Sequence, residues 1–217
     1  MKDAAEERRG GLHMENNQVT VTGTISKERE YDHSVYGEDF YRTELLTQRK
    51  SGTIDRIPLL ISERILTPEV EIKGKLVKVM GHFCSCNKHE DGKSRLILSV
   101  FTEDLSFEEE DSCDNNSIYL DGYICKPPVY RKTPLGRQIT DLLIAVNRLY
   151  GKSDYIPCVA WGRDAKWAGG LEVGSRVKLY GRIQSRVYQK AVSENCVEER
   201  TAYEVSVNFM EMREGEK

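Results

Sequence analysis

The segment NNSIYLDGYI at residues 115–124 decides the fold, because it aligns without a gap on the earlier segment NNQVTVTGTI at residues 16–25. Further matches follow in the same order: Gly37 with Gly136, Gly52 with Gly151, Ile57-Pro58 with Ile156-Pro157, Val77–Gly81 with Val177–Gly181, and Leu98–Val100 with Val205–Val207. An ordered series of matches predicts two copies of one fold, each roughly a hundred residues long, which is the size of one domain.

The duplication divides the chain into four parts. We expect a flexible N-terminal extension at residues 1–15, a first repeat at 16–105, an acidic linker at 106–114 and a second repeat at 115–213. Residues 104–114 carry six acids and no base. Such a run is typical of a solvated connection, and the alternative is that these acids occupy a basic groove as a decoy.

Composition limits the classes of protein to which the chain could belong. The 217 residues contain no apolar run near the roughly 18 residues that span a bilayer, and the charged start lacks the apolar core of a signal peptide. The six cysteines show no tight pairing, which favours reduced thiols. The sequence therefore predicts a soluble cytoplasmic protein with no membrane attachment.

Charge is distributed unevenly along the chain. The formal net charge of -3 argues weakly against a partner that is a polyanion. Residues 116–192, however, contain 13 Lys and Arg against 5 Asp and Glu. The second repeat is therefore locally basic.

An apolar and polar alternation with a period of two predicts half-buried strands in both repeats. In the second repeat we expect strands at 118–124, 138–148, 154–161, 176–188 and 201–212, with one or two helical turns at 163–169. This order is that of an OB-fold, so the predicted class is all-β, with two tandem five-stranded OB-fold barrels, each with a short helix between strands 3 and 4. The glycine inside the first strand of each repeat indicates a bend or bulge.

Several segments of the second repeat narrow this assignment. They are NSIYLDGYI at 116–124, PVYR at 128–131, IPCVAWGR at 156–163, VGS at 173–175, GRIQSR at 181–186 and YEVSV at 203–207. In their order and spacing they resemble bacterial single-stranded DNA-binding proteins, over essentially the whole second repeat. The first repeat resembles a diverged copy.

Aromatic residues are the first half of the expected binding site, since unpaired bases stack on exposed rings. Tyr155 and Trp161 lie six residues apart on one predicted strand and should share a face. The resemblance places the base-stacking rings of the family at these two residues, at Tyr150 and at Tyr188. The alternative is that these rings pack in the core or at an oligomer contact. Trp167, in the predicted helix, is expected to plug the end of the barrel instead.

Cationic side chains are the second half, because they pair with backbone phosphates. The candidates in the second repeat are Arg131, Lys132, Arg137, Arg148, Lys152, Arg163, Arg182, Arg186 and Lys190. Any one of them alone could be an ordinary solvated strand residue. It is their clustering with the aromatic residues that predicts a surface for a single strand.

The first repeat lacks the stacking residues. In the repeat frame, Ser51, Arg56, Ser62 and Lys88 stand where the second repeat has Tyr150, Tyr155, Trp161 and Tyr188. The first repeat keeps cations at Arg42, Arg49, Lys50, Arg56 and Lys88. We therefore expect strand affinity mainly in the second repeat.

Other chemistry is weakly represented. His82, Cys84, Cys86 and His89 lie close together, but a Cys-x-Cys step is an unusual spacing for structural zinc, so no metal and no cofactor is expected. No Ser-His-Asp set or phosphate loop stands out, so the chain is not expected to be an enzyme.

The favoured hypothesis is a sequence-nonspecific protein that coats single-stranded DNA in replication, recombination or repair. The resemblance implies a homodimer, since four barrels usually act together in that family. It also implies an acidic C-terminal tip that recruits replication proteins, but this sequence ends REGEK soon after the last strand, so recruitment by that route is not expected. The alternatives are a binding module for RNA or a primosome-type substrate, and a protein-interaction scaffold.

Overall fold

The computed structural model describes residues 16–90, 93–110, 115–148, 151–193 and 196–213. Within these ranges, twelve strands and one helix follow one another along the chain. The elements are β1 (Asn17–Ile25), β2 (Glu30–Val35), β3 (Glu38–Gln48), β4 (Ile54–Ser62), β5 (Leu76–Glu90), β6 (Lys93–Phe107), β7 (Asn116–Ile124), β8 (Val129–Lys132), β9 (Gln138–Asn147), β10 (Ser153–Trp161), α1 (Gly162–Ala168), β11 (Arg176–Ser193) and β12 (Cys196–Met212).

The two repeats have the same strand order. In the first repeat, β1 pairs with both β3 and β5, and the order β1-β3-β4-β6-β5 leads back to β1. In the second repeat, β7, β9, β10, β12 and β11 follow the same order. β4 pairs in parallel with β6, and β10 pairs in parallel with β12, whereas the other pairs are antiparallel. This is the order expected for two OB-folds, and the all-β class is confirmed.

Each repeat has one strand more than the sequence predicts. β2 pairs with β3, and β8 pairs with β9, as outer hairpins. Nearly every residue of these two strands is exposed. Because neither face is buried, neither strand carries the apolar alternation from which strands are recognised in a sequence.

Within the described ranges, the short helix is present in the second repeat only. In α1, Ala165 and Ala168 are buried, and the Thr140 hydroxyl donates to the Ala165 carbonyl at 2.6 Å. The equivalent residues 63–70 of the first repeat form turns. Pro68 explains the difference, because proline lacks the amide that a helix needs and disfavours helical geometry in the residue before it. The described residues contain no helix long and apolar enough to cross a membrane.

A glycine allows the first strand of each barrel to turn from one partner to the next. A Cβ at Gly122 would lie 2.6 Å from the Ala145 carbonyl oxygen, and one at Gly23 would lie even closer to that of Leu46. Only a residue without a side chain permits this approach. The strand bends at this glycine, as its place in the sequence indicates.

The last strands of the two repeats, β6 and β12, are equivalent in a register that differs from the one given by the sequence alignment. Leu59 pairs with Val100, and the matching Cys158 pairs with Val205. Val100 is therefore equivalent to Val205, and the alignment that set it against Val207 is wrong by two residues. A slip of two keeps every side chain on the same face, so alternation alone cannot detect it.

The two barrels join through their first strands. β1 pairs antiparallel with β7, with Val19 opposite Ile118 at the centre of the pairing. Val19 and Ile118 are equivalent in the two repeats, so the junction has an approximate two-fold symmetry. We call this junction the seam.

A buried carboxylate on each side reinforces the seam. Asp154 is fully buried, and it accepts hydrogen bonds from the Arg148 guanidinium and from the backbone amide of Ser85 in the other repeat. The Ser85 hydroxyl accepts the amide of Tyr155 at 2.8 Å. Arg148 also donates to the Ser85 carbonyl at 3.1 Å.

The second half of this arrangement is nearly identical. Asp55 is also fully buried; it binds Arg49 through two bonds of 2.6 Å and accepts the amide of Ser185 at 2.8 Å. The Ser185 hydroxyl accepts the Arg56 amide at 2.9 Å. Each barrel therefore binds the long hairpin of the other through one aspartate and one serine.

We expect Asp154→Ala to lower the free energy of unfolding by about 3 kcal/mol, because it leaves a partly buried guanidinium and a backbone amide without their acceptor. Urea denaturation followed by circular dichroism measures the change. Asp141→Ala is the matched control: Asp141 pairs with Arg131, but both side chains are substantially exposed, so the loss should stay below about 1 kcal/mol. Equal losses in the two variants would show that the seam carboxylate has no special structural weight.

Candidate nucleic-acid interface

β10, in the second barrel, presents its aromatic residues outwards. Along β10, Ile156, Cys158 and Ala160 are buried in the core, whereas Tyr155 and Trp161 lie on the opposite, outer face. Tyr155 is 43% exposed. Six residues of extended strand separate the two rings by about 20 Å. The shared face expected from the alternation is therefore present.

A groove of about 900 Å³ surrounds Trp161. The Trp161 indole N–H donates to the Ser206 hydroxyl of β12 at 3.1 Å, which fixes one edge of the ring. The groove brings together five of the site residues predicted from the sequence: Arg131, Arg137, Trp161, Arg182 and Arg186. An aromatic ring among several cations is the combination that binds a nucleotide chain.

The other predicted residues lie elsewhere. Tyr155 is on the same strand face but outside this groove, and Tyr188 lies on the long hairpin with the Arg186 guanidinium 5.7 Å from its ring centroid. Four cations are exposed on the surface but do not line the groove: Lys132, Lys152, Arg163 and Lys190. Tyr150 lies outside the described residues.

Arg148 belongs to the seam and does not face a strand-binding groove. Its guanidinium binds the buried carboxylate of Asp154 and the Ser85 carbonyl. The hydrogen bond with Asp154 is the main reason why the pKa of Arg148 is raised. Arg148 therefore has structural contacts within the seam, and the phosphate pairing expected from the sequence stays a prediction. Arg49 and Asp55 stand six residues apart, as Arg148 and Asp154 do. This match between the repeats is the feature of the sequence that could have indicated a structural ion pair.

Arg131 has a carboxylate neighbour within the site. It forms a bidentate pair with Asp141 at 2.5 and 3.1 Å, and this bonding raises the pKa of Arg131. Both side chains are exposed, so the pair is weak in water. The guanidinium can therefore exchange the carboxylate for a phosphate at little cost.

The equivalent surface of the first repeat has lost its cations. Glu38 stands in the place of Arg137, and His82 in that of Arg182. The sequence predicted that the equivalent face of the first repeat keeps positive charge at five cations, but three of them are bound to carboxylates: Arg42 to Asp32 at 2.6 Å, Arg49 to Asp55 at 2.6 Å and Arg56 to Glu44 at 2.9 Å.

The first repeat carries a different aromatic row in this place. Phe101 occupies the position of Ser206, and its ring centroid lies 5.9 Å from that of Phe40 and 4.9 Å from that of His82. Phe40 itself is buried. The sequence did not indicate this row, because the repeat alignment set β6 against β12 two residues out of register. It packs largely against itself and offers less exposed ring surface than Tyr155.

Residues of the first repeat also reach the groove of the second. Arg49 and Thr53, from the connection between β3 and β4, line it together with the second-repeat residues. Asn208, on β12, lines it as well. No sequence pattern indicated these contributions, because they depend on how the barrels meet at the seam.

A second exposed aromatic cluster lies on the sheet that crosses the seam. The ring centroids of Tyr119 and Tyr180 are 4.8 Å apart, and those of Tyr180 and Phe209 are 6.3 Å apart. About half of the surface of Tyr180 and of Phe209 is exposed. Met80, the equivalent of Tyr180 in the first repeat, is also exposed. We call Tyr119, Tyr180, Phe209 and Met80 the aromatic sheet face.

Trp167, expected to plug the end of the barrel, is 42% exposed.

The described cysteines differ in exposure: Cys158 is buried, Cys84 and Cys125 are half-buried, and Cys86 is exposed. Burial raises the pKa of Cys84, Cys125 and Cys158. Among the side chains that the structure describes, no three His, Cys, Asp or Glu residues are arranged to hold a metal ion, and His89 lies outside them.

Known proteins resemble this chain in sequence and in fold. Residues 115–213 match the model of the single-strand binding protein family. Single-stranded DNA-binding protein 2 of Listeria innocua is 33% identical over 105 residues, 45% of this chain and 65% of that protein. Single-stranded DNA-binding protein A of Bacillus subtilis is 33% identical over 107 residues, 46% of this chain and 62% of that protein. The chain thus covers less than two thirds of the length of either relative.

A solved structure resembles the chain over both repeats. The wild-type single-stranded DNA binding protein from Thermus aquaticus superimposes with a TM-score of 0.74 and 21% identity, covering 93% of this chain and 94% of the other. At that identity the likeness concerns the fold, and the fold includes the tandem arrangement of two barrels. In sequence, the match to the single-strand binding protein family covers the second repeat, at residues 115–213, whereas the likeness of fold extends over both repeats.

Proposed function

We propose that this protein binds single-stranded DNA without sequence preference, mainly on the second barrel. The observation that carries the proposal is the groove in which Trp161 lies among Arg131, Arg137, Arg182 and Arg186. Guanidinium groups bind phosphates whatever the base, and an indole ring stacks on any base.

The strand runs from this groove along the outer face of β10. Trp161 and Tyr155 face the same side, and their separation of about 20 Å accommodates several unstacked nucleotides. Tyr188 and Arg186 extend the surface onto the long hairpin. Lys132, Lys152, Arg163 and Lys190 surround this path as exposed cations that attract the backbone.

The first barrel has a mainly structural role. Its equivalent surface has Glu38 and His82 where the second has arginines, and Ser62 in place of Trp161. A carboxylate there repels phosphates. We therefore assign most of the affinity to the second barrel.

The activity is binding and protection, with no chemical step. A protein that covers unpaired DNA and blocks its re-annealing serves replication, recombination or repair, and acts in the cytoplasm. The curated relatives that match the second repeat are bacterial single-stranded DNA-binding proteins, which agrees with this role.

The working assembly is a homodimer with four barrels. Tyr180, Phe209 and Met80 of the aromatic sheet face are exposed apolar side chains, and exposed apolar surface marks interaction sites in other proteins. An isologous contact would place this face against its own copy. The residues of this face lie on β5, β7, β11 and β12 and not on β10.

The double variant Tyr155→Ala and Trp161→Ala should bind fluorescein-labelled oligo-dT at least about 30-fold more weakly, since each lost stacking contact costs about 1 kcal/mol or more. Fluorescence anisotropy gives the affinity, and circular dichroism checks the fold. Tyr36→Ala is the control, because Tyr36 is fully exposed at the tip of the β2–β3 hairpin in the first repeat. Wild-type affinity in the double variant would contradict the proposed surface.

Binding should weaken as salt increases. The logarithm of the association constant is expected to fall linearly with the logarithm of salt concentration, by about 0.7 for each phosphate neutralised. Titration with oligo-dT, oligo-rU and a DNA duplex at two or more salt concentrations tests both the slope and the preference for DNA. Preference for RNA or duplex, or absence of binding to all three, would favour the RNA-module or scaffold alternative.

The variant Tyr180→Glu should convert the dimer to a monomer of 24.8 kDa, because a carboxylate on an apolar contact face cannot be desolvated without cost. Light scattering coupled to size exclusion measures the mass. Trp167→Glu, at an exposed ring outside the aromatic sheet face, should leave the mass unchanged. A wild-type protein that is already monomeric would exclude the proposed dimer.

A further inference from the structure

Two grooves meet at one end of the seam. The first is the groove around Trp161, and the second, of about 850 Å³, is lined by Lys50, Ser51, Tyr119 and Tyr180, among others. Three residues line both grooves: Arg49 from the first repeat and Arg182 and Asn208 from the second. The junction of the grooves is therefore built by both barrels.

Arg182 is a cation without a carboxylate partner among the described residues. Its Nε–H is buried and has no acceptor, and its one hydrogen bond, 3.3 Å from Nη2 to the Gln184 side-chain oxygen, is to a neutral group. Burial, and then the positive charge of Arg49, lower the pKa of Arg182. Arg49 and Arg182 line both grooves at the point where these meet, so an anion between the two guanidinium groups would offset their positive charge.

The carboxylate closest to this pair is already occupied. Asp55 binds Arg49 through both of its oxygens, and one of them also accepts the Ser185 amide. Glu204, which also lines the Trp161 groove, accepts a hydrogen bond from Gln184 at 2.7 Å. Neither carboxylate forms a hydrogen bond or an ion pair with Arg182, although the negative charge of Asp55 partly offsets the lowering of its pKa, and Arg49 still has N–H donors that Asp55 does not use.

The other end of the seam provides an internal comparison. There Arg148 takes the place of Arg49, but His82 takes the place of Arg182. His82 has its own carboxylate, Glu103, at 3.2 Å, and burial lowers the pKa of His82. In the part of the seam that the structure describes, a second arginine therefore accompanies the seam arginine at one end and a histidine at the other.

We propose that a backbone phosphate of the bound strand lies between Arg49 and Arg182, so that the strand passes from the second barrel onto the connection between β3 and β4 of the first. The inference rests on the proposed function and adds to it a binding site to which both repeats contribute. Asn208 supplies a neutral hydrogen-bond donor beside the pair, and Thr53 lies at the edge of the same groove.

Arg182→Gln tests the phosphate contact. The dependence of the logarithm of affinity for oligo-dT on the logarithm of salt concentration should become shallower by about 0.7, the value for one phosphate. His82→Gln, at the equivalent position of the other end, is the matched control and should leave the slope unchanged. Size exclusion verifies that both variants keep the mass of the parent protein.

Thr53→Lys tests the contribution of the first repeat. It introduces at the β3–β4 connection the residue that the second repeat has at Lys152, and the slope should become steeper by about 0.7. The control is Ser34→Lys, on the exposed strand β2 outside both grooves, which adds the same charge and should leave the slope unchanged.

The outcomes separate this inference from the proposed function. If the parent protein does not bind oligo-dT, the function itself fails. If it binds and the Tyr155 and Trp161 variant weakens binding, but Arg182→Gln and Thr53→Lys keep the parental slope, the seam site alone is overturned. A change of mass in Arg182→Gln with an unchanged slope would assign Arg182 to a contact between copies and also overturn the site.

Discussion

The pairing of β1 with β7, secured by two buried aspartates, is the constraint on which the rest of the molecule depends. Each aspartate is neutralised by an arginine of its own barrel and accepts a backbone amide from the long hairpin of the other. A buried carboxylate without such partners would be costly, so each barrel stabilises the polar core of the other. The relative position of the two barrels, and with it every surface that spans them, follows from this exchange.

A symmetric framework carries two different surfaces. The polar side chains that secure the seam are the same in both repeats: Arg49 and Arg148, Asp55 and Asp154, and Ser85 and Ser185. The residues that face outwards differ: Trp161 corresponds to Ser62, and Arg137 to Glu38. Packing and hydrogen bonding restrict the first set, whereas exposed positions tolerate change with little effect on stability. The duplicated chain has therefore kept its interface while only one barrel retains the aromatic and cationic groove.

The sequence predicted the barrels well because their strands bury one face, and burial leaves a period of two in the residues of β1, β7 and β10. It did not predict β2 and β8, which bury neither face. The helix expected in the first repeat is prevented by Pro68. The expectation followed from the similarity of the two repeats, although this proline is a local signal against a helix. Of the candidate site, the sequence predicted Trp161 and the arginines that the structure places in one groove with it. It listed Arg148 beside them, and this residue is bound to Asp154 in the seam. It named Arg49 only as a cation of the first repeat and did not indicate Thr53, because their place at the groove depends on contacts between barrels that no local pattern encodes.

Both halves of the seam belong to one polypeptide, and β6 is joined to β7 by a short connection. Their association is consequently intramolecular, with an effective concentration set by that connection and not by the amount of protein present. Two separate single-barrel chains would come apart on dilution, whereas these two barrels remain joined at any cellular abundance. Because each barrel pairs with the other barrel of its own chain and not with a copy of itself, a substitution in one barrel does not appear in the other.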